Sequence, residues 1–331
     1  MTSGDSQENK MIPKKTKIFI AGHKGMVGSA IWRNLESKGY TNLIGETREK
    51  LDLRNQQAVL AYFKKEQPII VIDAAAKVGG ILANNGFQYD FLIENLQIQN
   101  NLIDSSHQLG VEKFIFLGSS CIYPKFAPQP IKEEFILTST LEPTNKGYAI
   151  AKIAGVMACE AIRKQFNKNF LSLMPTNLYG SFDNFDLKSS HVLPAMIRKF
   201  HEAKINDNAE VILWGSGTPM REFLFVDDLA EAVSHAIEHN LQEYLYNIGT
   251  GKDVTIKELA ETIQKVIGHK GNIIWDKTKP DGAPRKLLDV SKIKETGWQY
   301  STELENGIKM TYQWYLDNLD TIKKITLRNK D

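Results

Sequence analysis

The sequence predicts an α/β fold, a Rossmann-type doubly wound parallel sheet joined to a smaller α/β domain. Short apolar runs such as 17–21, 69–72 and 113–117 alternate with helical patterns up to residue 176. This alternation is expected when parallel strands are buried on both faces. A glycine-rich turn connects the first run directly to a helix, as at the start of a βαβ unit. Beyond residue 176 the alternation stops, which predicts a second, less regular part.

The boundaries follow from these patterns and from a last strand, 246–249, that is predicted to return to the main sheet. Residues 1–15 are polar and patternless, and they are predicted to form a flexible tail. A dinucleotide-binding domain is predicted from residues 16–176 plus 222–249, and a substrate-binding domain from residues 177–221 plus 250–331.

Composition narrows the class of protein. The chain has 331 residues, is 42% hydrophobic and 24% charged, and carries a net charge of +2, as is usual for a soluble globular protein. Without a long basic block, we expect neither a nucleic acid nor a membrane as a partner. The only cysteines are Cys121 and Cys159, too few for a disulfide framework. A reducing, cytoplasmic location is therefore predicted. No metal site is predicted.

The turn after the first strand has glycines at positions 22, 25 and 28, in a dinucleotide-binding context. Gly22 allows the tight turn, Gly25 lets a pyrophosphate approach the backbone, and Gly28 lets helix and strand pack closely. The start of helix 29–37 offers amides and positive potential to the phosphates. A plain strand-to-helix turn is the alternative. The candidate cofactor loop consists of Gly22, His23, Lys24, Gly25, Met26, Val27 and Gly28.

The end of the second predicted strand, 42–44, bears on the choice between NADP(H) and NAD(H). We identify no acid there that would bind a free ribose 2′-hydroxyl, whereas Arg48 follows the strand and Lys24 lies in the glycine loop. Two cations suit a 2′-phosphate, so NADP(H) is predicted, with Asp52 placed to approach the adenine. The alternative is that both cations are solvated surface charges.

Tyr148 and Lys152 are four residues apart, which places them one turn apart on one face of a helix. The ammonium can lower the pKa of the phenol and hold a cofactor hydroxyl, so the phenol can exchange a proton with a carbonyl oxygen. Taken alone, this spacing more often marks a half-exposed surface helix. The neighbouring motifs therefore decide its meaning.

Other predicted strands also end in residues suited to ligands. Small residues at 74–76 follow one strand and would let a cofactor lie against the backbone. Ser119 and Cys121 follow the next strand, at the edge where such sheets bind ligands. The long helix between them, 90–108, has an apolar face that suits packing or dimerisation. Its members are Phe91, Ile98, Leu102 and Ile103.

The order of glycine loop, Ser119 and Tyr148-x-x-x-Lys152 resembles the extended short-chain dehydrogenase/reductase superfamily. More narrowly, the chain resembles the GDP-L-fucose synthase family through segments such as 74–81, 117–125 and 214–223. The similarity covers nearly the whole chain beyond the tail. It implies NADPH-dependent conversion of GDP-4-keto-6-deoxy-D-mannose to GDP-L-fucose, with epimerisation at C3 and C5 before reduction at C4, and a homodimer.

The resemblance also implies a role for each catalytic candidate. Tyr148 would protonate the C4 oxygen, Ser119 would share that oxygen, and Lys152 would tune the phenol and hold the nicotinamide ribose. Cys121 would act as the base and His191 as the acid in the two epimerisations. A thiol and an imidazole can both serve near neutral pH. The alternatives are a buried small hydrophobic residue for Cys121 and an ordinary loop histidine for His191.

Further binding residues follow from the same resemblance. Lys24 and Lys199 stand where arginine is expected, which keeps the charge but loses the two-pronged donor geometry. Taken alone, Trp214 could be a core residue and each cation a solvated surface charge. Additional cofactor-binding candidates are Leu117, Gly118, Ser119, Ser120, Lys152, Pro175, Thr176, Asn177, Leu178 and His191. The substrate-binding candidates are Lys199, Trp214, Arg221, Asp281 and Lys286.

Two other functions compete with this interpretation. The first is a nucleotide-sugar 4-epimerase or dehydratase with tightly bound NAD. Cys121 and His191 argue against it, and a dehydratase would be expected to carry acidic residues beside Ser119. The second is a non-catalytic NADP-sensing protein, which typically lacks one member of the Tyr148–Lys152 pair.

Overall fold

The computed structural model of the chain describes residues 12–187, 189–279 and 281–322. The strands are β1 (Ile18–Ala21), β2 (Leu43–Ile44), β3 (Ile70–Asp73), β4 (Lys113–Leu117), β5 (Asn169–Pro175), β6 (Asn177–Tyr179), β7 (Glu210–Trp214), β8 (Met220–Phe225), β9 (Leu245–Ile248), β10 (Asp253–Thr255), β11 (Asn272–Asp276) and β12 (Arg285–Lys286). The helices are α1 (Met26–Ser37), α2 (Gln56–Glu66), α3 (Ile81–Gly86), α4 (Gln88–Gln108), α5 (Lys146–Phe166), α6 (Val192–Ile205), α7 (Val226–Glu238), α8 (Ile256–Ile267), α9 (Ser291–Glu295) and α10 (Leu304–Asp317).

Six strands form one parallel sheet in the order β2-β1-β3-β4-β5-β9. Every residue of β1, β3 and β4 is buried, because helices cover both faces. From β1 the chain runs to β2 on one side and then to β3 on the other, so the strand order reverses between β1 and β3. Ligands bind at such a switch point, at the carboxyl ends of the strands. The predicted fold class is confirmed.

The glycine loop lies at this switch point, and α1 begins earlier than the predicted residue 29. Gly25 is the N-cap, with an extended backbone (φ −77°, ψ 171°), and the helix starts at Met26. The first helical amides therefore come directly from the loop. Helix α3 was not predicted, because its six residues are too few to show a helical period.

The apolar face of α4 packs inside the protein. Phe91, Leu102 and Ile103 are buried, and Ile98 is partly buried against the main core. The packing alternative for this face is therefore confirmed for these residues, while the homodimer stays a prediction.

The smaller part is built around β8, which pairs with β6, β10 and β12. The predicted boundary assigned residues 222–225 to the dinucleotide-binding domain, whereas the strands that pair with β8 belong to the smaller sheet. Its side chains serve both parts: Leu224 belongs to the core under the main sheet, whereas Phe223 and Phe225 belong to a second core. Strand β8 therefore contributes side chains to both hydrophobic cores.

Two features concern the chain ends and the surface. Most of the predicted tail, residues 1–11, lies outside the described residues, and Lys14 binds Glu238 with Nζ 2.9 Å from the carboxylate. Within the described ranges, no helix is both long enough and apolar enough to cross a membrane.

Candidate active site

The glycine loop has the shape of a phosphate cradle. Gly22 adopts φ +74°, and a Cβ there would lie 2.7 Å from the Ala74 carbonyl oxygen. A Cβ on Gly28 would lie 2.2 Å from the Gly22 carbonyl oxygen. Gly25 differs, because its nearest neighbour would be 3.4 Å away and its φ is ordinary. Gly22 and Gly28 thus permit close packing, while Gly25 leaves the space that a pyrophosphate needs.

This difference gives a matched pair of substitutions. Gly28→Ala is expected to lower the free energy of unfolding by roughly 1–3 kcal/mol, because helix and turn must separate. Gly25→Ala is expected to leave stability nearly unchanged and to weaken NADPH binding. Urea titration measures the first effect, and the fluorescence of bound NADPH measures the second. Equal stabilities for the two variants would contradict the packing argument.

The end of β2 differs from the expectation in one respect. Glu46, two positions beyond the strand, is a half-buried acid that interacts electrostatically with His23. The statement that no acid stands there is therefore wrong. Lys24 is exposed, and Arg48 is exposed with Nη2 4.0 Å from Glu94 Oε2. Both cations have the freedom to approach a phosphate, but Glu46 lies on the same side as the glycine loop.

His23 itself is a packed residue of this loop. Its ring lies 5.6 Å from the Trp32 ring and against Gly45. Burial and then Lys24 lower the pKa of His23, and Glu46 partly opposes them. His23 is therefore neutral near pH 7 and separates the loop from β2.

A network of charges that the sequence analysis missed continues from this point. Asp52 accepts two hydrogen bonds from Arg54, at 2.9 Å from Nε and 2.7 Å from Nη2, which lowers the pKa of Asp52 to about 2. Arg54 Nη1 also lies 3.4 Å from Glu94, which hydrogen-bonds Lys77 as well. Glu94 thus lies close to three cations from two segments: Arg48 and Arg54 in the loop after β2, and Lys77 in the loop after β3. Only the tertiary fold brings these residues together.

The Ser119, Tyr148 and Lys152 side chains meet at the carboxyl end of β4. Lys152 is buried and donates from Nζ to the Leu117 carbonyl oxygen at 2.8 Å, with Nζ 5.9 Å from the centre of the Tyr148 ring. Burial raises the pKa of Tyr148, and its interaction with Ser119 partly opposes the rise. The expected lowering by Lys152 is not found, because Cys121 and Asp73 add to the rise and only Ser119 opposes it. The phenol therefore keeps its proton near neutral pH, as a proton donor must.

Cys121 lies in the same cluster. It is 6% exposed, and its backbone N–H donates to Ser119 Oγ at 3.3 Å. Burial raises the pKa of the thiol, while Lys286, Ser119 and Lys152 act in the opposite direction. Lys286 reaches this position on β12, beside β8. The thiol is protonated at rest, and two cations are placed to stabilise a thiolate.

His191 reaches the cleft from the N-cap of α6. Its loop is held by the N–H of Gly80, which donates to the Ser189 carbonyl oxygen at 3.0 Å. Phe91 packs beside this glycine segment, and its ring centre is 6.4 Å from that of Tyr148. The His191 residue has exposed surface, but protein atoms lie around its imidazole. The resulting partial loss of water lowers the pKa of His191. A series of contacts through Gly80 and Phe91 therefore links the loop of His191 to Tyr148.

The turn 175–178 closes the site next to β4. Thr176 Oγ1 and Asn177 Nδ2 both donate to the Glu222 carbonyl oxygen, at 3.2 Å and 2.8 Å. A Cβ on Gly118 would lie 2.0 Å from Met174 Cε, so a larger residue here would require the end of the Met174 side chain to move. Pro175 ends β5, and Leu117 and Ser120 are buried on either side of Gly118 and Ser119. The predicted cofactor contacts of these residues remain predictions.

The predicted substrate residues form a second cluster in the smaller part. Trp214 is 52% exposed, with Lys199 Nζ 6.0 Å and Lys279 Nζ 5.6 Å from its ring centre. Asp281 accepts hydrogen bonds from Ser216, at 2.9 Å from the backbone N–H and 2.7 Å from the hydroxyl. An exposed aromatic face flanked by two ammonium groups suits a base and a phosphate.

Arg221 and Lys286 connect this cluster to the catalytic one. They are register partners on β8 and β12. Burial lowers the pKa of both residues, with Asp281 and then Glu142 opposing it for Arg221, and Cys121 opposing it for Lys286. A line of charges therefore runs from Asp281 through the two cations to Cys121. A diphosphate between the clusters would replace water around these cations.

A Rossmann sheet with a glycine cradle, and with a partly buried serine and tyrosine beside a buried lysine at the end of one strand, defines a dinucleotide-dependent enzyme of carbonyl chemistry. A sequence model of the NAD dependent epimerase/dehydratase family matches residues 18–249. The chain belongs to this family.

Individual relatives are more informative than the family as a whole. GDP-L-fucose synthase of Escherichia coli strain K12 is 52% identical over 318 residues, covering 93% of this chain and 99% of that protein. GDP-L-fucose synthase 1 of Arabidopsis thaliana is 54% identical over 314 residues, covering 95% of this chain and 97% of the relative. The NADP-bound crystal structure of a GDP-L-fucose synthetase from Naegleria fowleri has a TM-score of 0.86 and 28% identity, covering 94% of this chain and 97% of that one.

Proposed function

We propose that this protein converts GDP-4-keto-6-deoxy-D-mannose to GDP-L-fucose with NADPH, by epimerisation at C3 and C5 and reduction at C4. The observation that carries the proposal is that Cys121 lies with Ser119, Tyr148 and Lys152, with the loop of His191 linked to them through Gly80 and Phe91. A ketone reductase needs only the last three residues. A thiol and an imidazole beside a ketone add the means to invert the neighbouring carbons.

The epimerisations are proton transfers on both sides of the ketone. The C4 carbonyl makes the C3 and C5 hydrogens acidic, because the resulting carbanion is delocalised as an enolate. Cys121 first loses its own proton to solvent, and the thiolate then removes a proton from one face of the sugar. Lys286 and Lys152 stabilise the thiolate before it takes up that proton. His191, after taking a proton from solvent, returns one on the opposite face. Ser119 donates to the enolate oxygen.

The reduction then uses the tyrosine. NADP(H), when bound, supplies the hydride; Gly22, Gly25 and the start of α1 would hold its pyrophosphate, and Lys152 its nicotinamide ribose. Tyr148 gives its proton to the C4 oxygen as negative charge develops there. Burial keeps that proton on the phenol until it is needed.

The GDP part is proposed to bind in the smaller domain. Lys199, Arg221 and Lys286 supply positive charge for the diphosphate, and the exposed face of Trp214 packs on the base or the sugar. Asp281 orders the turn beside them through Ser216.

A cytoplasmic homodimer is also proposed. Both cysteines are free and buried, and the proposed role of Cys121 requires a reduced thiol. Light scattering after size-exclusion chromatography gives the subunit number directly.

One incubation tests the activity. Protein, GDP-4-keto-6-deoxy-D-mannose and NADPH are combined in heavy water, and the product is identified by NMR. The proposal expects GDP-L-fucose with deuterium at C3 and C5 and one NADPH consumed per product. Product formation without net NADPH consumption would instead indicate a 4-epimerase or a dehydratase with tightly bound NAD. Binding without any turnover would indicate an NADP-sensing protein.

The position of Glu46 leads to a prediction about the cofactor. Glu46→Gln is expected to raise the ratio of kcat/KM for NADPH to that for NADH by about fivefold, because a carboxylate near the ribose repels a 2′-phosphate by ~1 kcal/mol. Glu66→Gln is the control, since Glu66 binds Lys17 at the amino end of β1, with 3.4 Å between the charged atoms, whereas Glu46 follows the carboxyl end of β2. An unchanged ratio in Glu46→Gln would show that Glu46 does not face the ribose.

A further inference from the structure

A buried carboxylate without an assigned role lies under the catalytic helix α5. Asp73, the last residue of β3, has 0% exposure. Its Oδ1 accepts a hydrogen bond from the Ala75 N–H at 3.2 Å, whereas Oδ2 is buried without a hydrogen-bond partner among the described residues. Burying a carboxylate with one oxygen not hydrogen-bonded costs free energy of folding, so a compensating positive charge is expected nearby.

The sheet register identifies that charge as Lys152. Asp73 is the register partner of Phe116 on β4, and paired residues of neighbouring parallel strands project from the same face of the sheet. Lys152 Nζ lies on this face, 4.6 Å from the centre of the Phe116 ring. Its hydrogen bond goes to the Leu117 carbonyl oxygen, so Asp73 and Lys152 interact through space.

The charges around Lys152 agree with this geometry. Burial lowers the pKa of Lys152, while Asp73 and then Cys121 raise it. Burial raises the pKa of Asp73 to about 6, while Lys152 and a backbone N–H oppose the rise. The phenol of Tyr148, with its ring centre 5.9 Å from this ammonium, keeps its proton and adds no negative charge. Above pH 6, Asp73 is therefore the resident negative charge beside Lys152.

We propose that Asp73 is a positioning residue that keeps Lys152 protonated throughout the reduction. A lysine buried between α5 and the sheet would otherwise lose its proton at a lower pH, and a neutral amine supports neither the phenol nor a cofactor hydroxyl as well as an ammonium does. The inference rests on the proposed role of Lys152 in the reduction.

The test is the pH profile of the Asp73→Asn variant. Single-turnover NADPH oxidation with GDP-4-keto-6-deoxy-D-mannose is measured from pH 6 to 10. Removing the negative charge lowers the pKa of Lys152, so the alkaline loss of activity should move to lower pH by roughly one to two units. The alkaline loss of NADPH affinity, followed by fluorescence without the sugar, should move in the same direction.

Two further variants keep the test decisive. Asp73→Leu replaces the charge by an apolar group and serves if Asp73→Asn does not fold. Ser106→Ala removes another buried, unpartnered oxygen, from α4, and should leave both profiles in place. Asp73 variants that bind NADPH with wild-type pH profiles would overturn the inference. If the wild-type protein does not reduce the sugar, the proposed function fails, and the NADPH-binding profile alone still decides the role of Asp73.

Discussion

Cys121→Ser is expected to abolish the incorporation of solvent deuterium at C3 and C5, with a loss of at least about 100-fold in the exchange rate. Serine has nearly the same size as cysteine, but its hydroxyl does not lose its proton near neutral pH and so cannot act as the base. General base catalysis increases a rate by about 10² to 10⁴-fold. NMR of the sugar in heavy water, recorded before NADPH is added, measures this exchange directly.

Cys159→Ser is the matched control for this substitution. Cys159 is the other buried thiol, with 0% exposure, and it lies on α5 away from the cleft. Its replacement should leave the exchange rate unchanged. Exchange at the wild-type rate in Cys121→Ser would show that another residue is the base.

The same exchange should depend on pH in a defined direction. Burial raises the pKa of the Cys121 thiol, so the thiolate is scarce near neutral pH and the rate should rise as the pH increases. Lys286→Gln removes the first of the cations that favour the thiolate and should move this rise to higher pH.

Tyr148→Phe is expected to slow the reduction by about 10² to 10⁴-fold while deuterium exchange continues. The phenol is the proposed donor to the C4 oxygen, and phenylalanine preserves the ring that packs against Phe91. The decrease in NADPH absorbance measures the reduction, and NMR of the same sample should show deuterated keto sugar.

Tyr62→Phe provides the comparison. Tyr62 packs against Phe19, with 5.5 Å between the ring centres, on a helix outside the cleft. It should reduce the sugar at the wild-type rate. A Tyr148→Phe variant that loses exchange and reduction together would mean that the phenol also takes part in the epimerisations, or that the cleft has collapsed.

The sequence was sufficient for features that repeat locally. The spacing of Tyr148 and Lys152, the glycine loop and the apolar strands all follow from the periods of helices and strands, and the fold class is confirmed. Features that depend on partners distant in the chain were missed. In the sequence, nothing distinguishes Asp73 from another acid at the end of a strand. Its position beside Phe116, on the same face of the sheet as Lys152, follows only from the strand register.

The surroundings of an ionisable side chain, and therefore the direction of its pKa shift, could not be predicted from the sequence either. The spacing of Tyr148 and Lys152 suggested that the ammonium would dominate the pKa of the phenol, but the depth of the cleft, known only from the fold, decides the direction. Likewise, nothing in the sequence distinguishes Glu94 from the other acids. Only the fold brings its carboxylate within ion-pair distance of Arg48, Arg54 and Lys77.

Strand β8 limits how this architecture can be divided or exchanged. Because Leu224 faces the core of the main sheet while Phe223 and Phe225 face the second core, no cut near this strand yields two fragments with intact interiors. A recombinant chimera that replaced only the GDP-sugar part would have to carry a compatible residue at position 224 from the recipient and compatible residues on either side from the donor. Sugar specificity in such a scaffold is therefore more readily altered by substituting cleft residues than by transplanting the smaller part as a module.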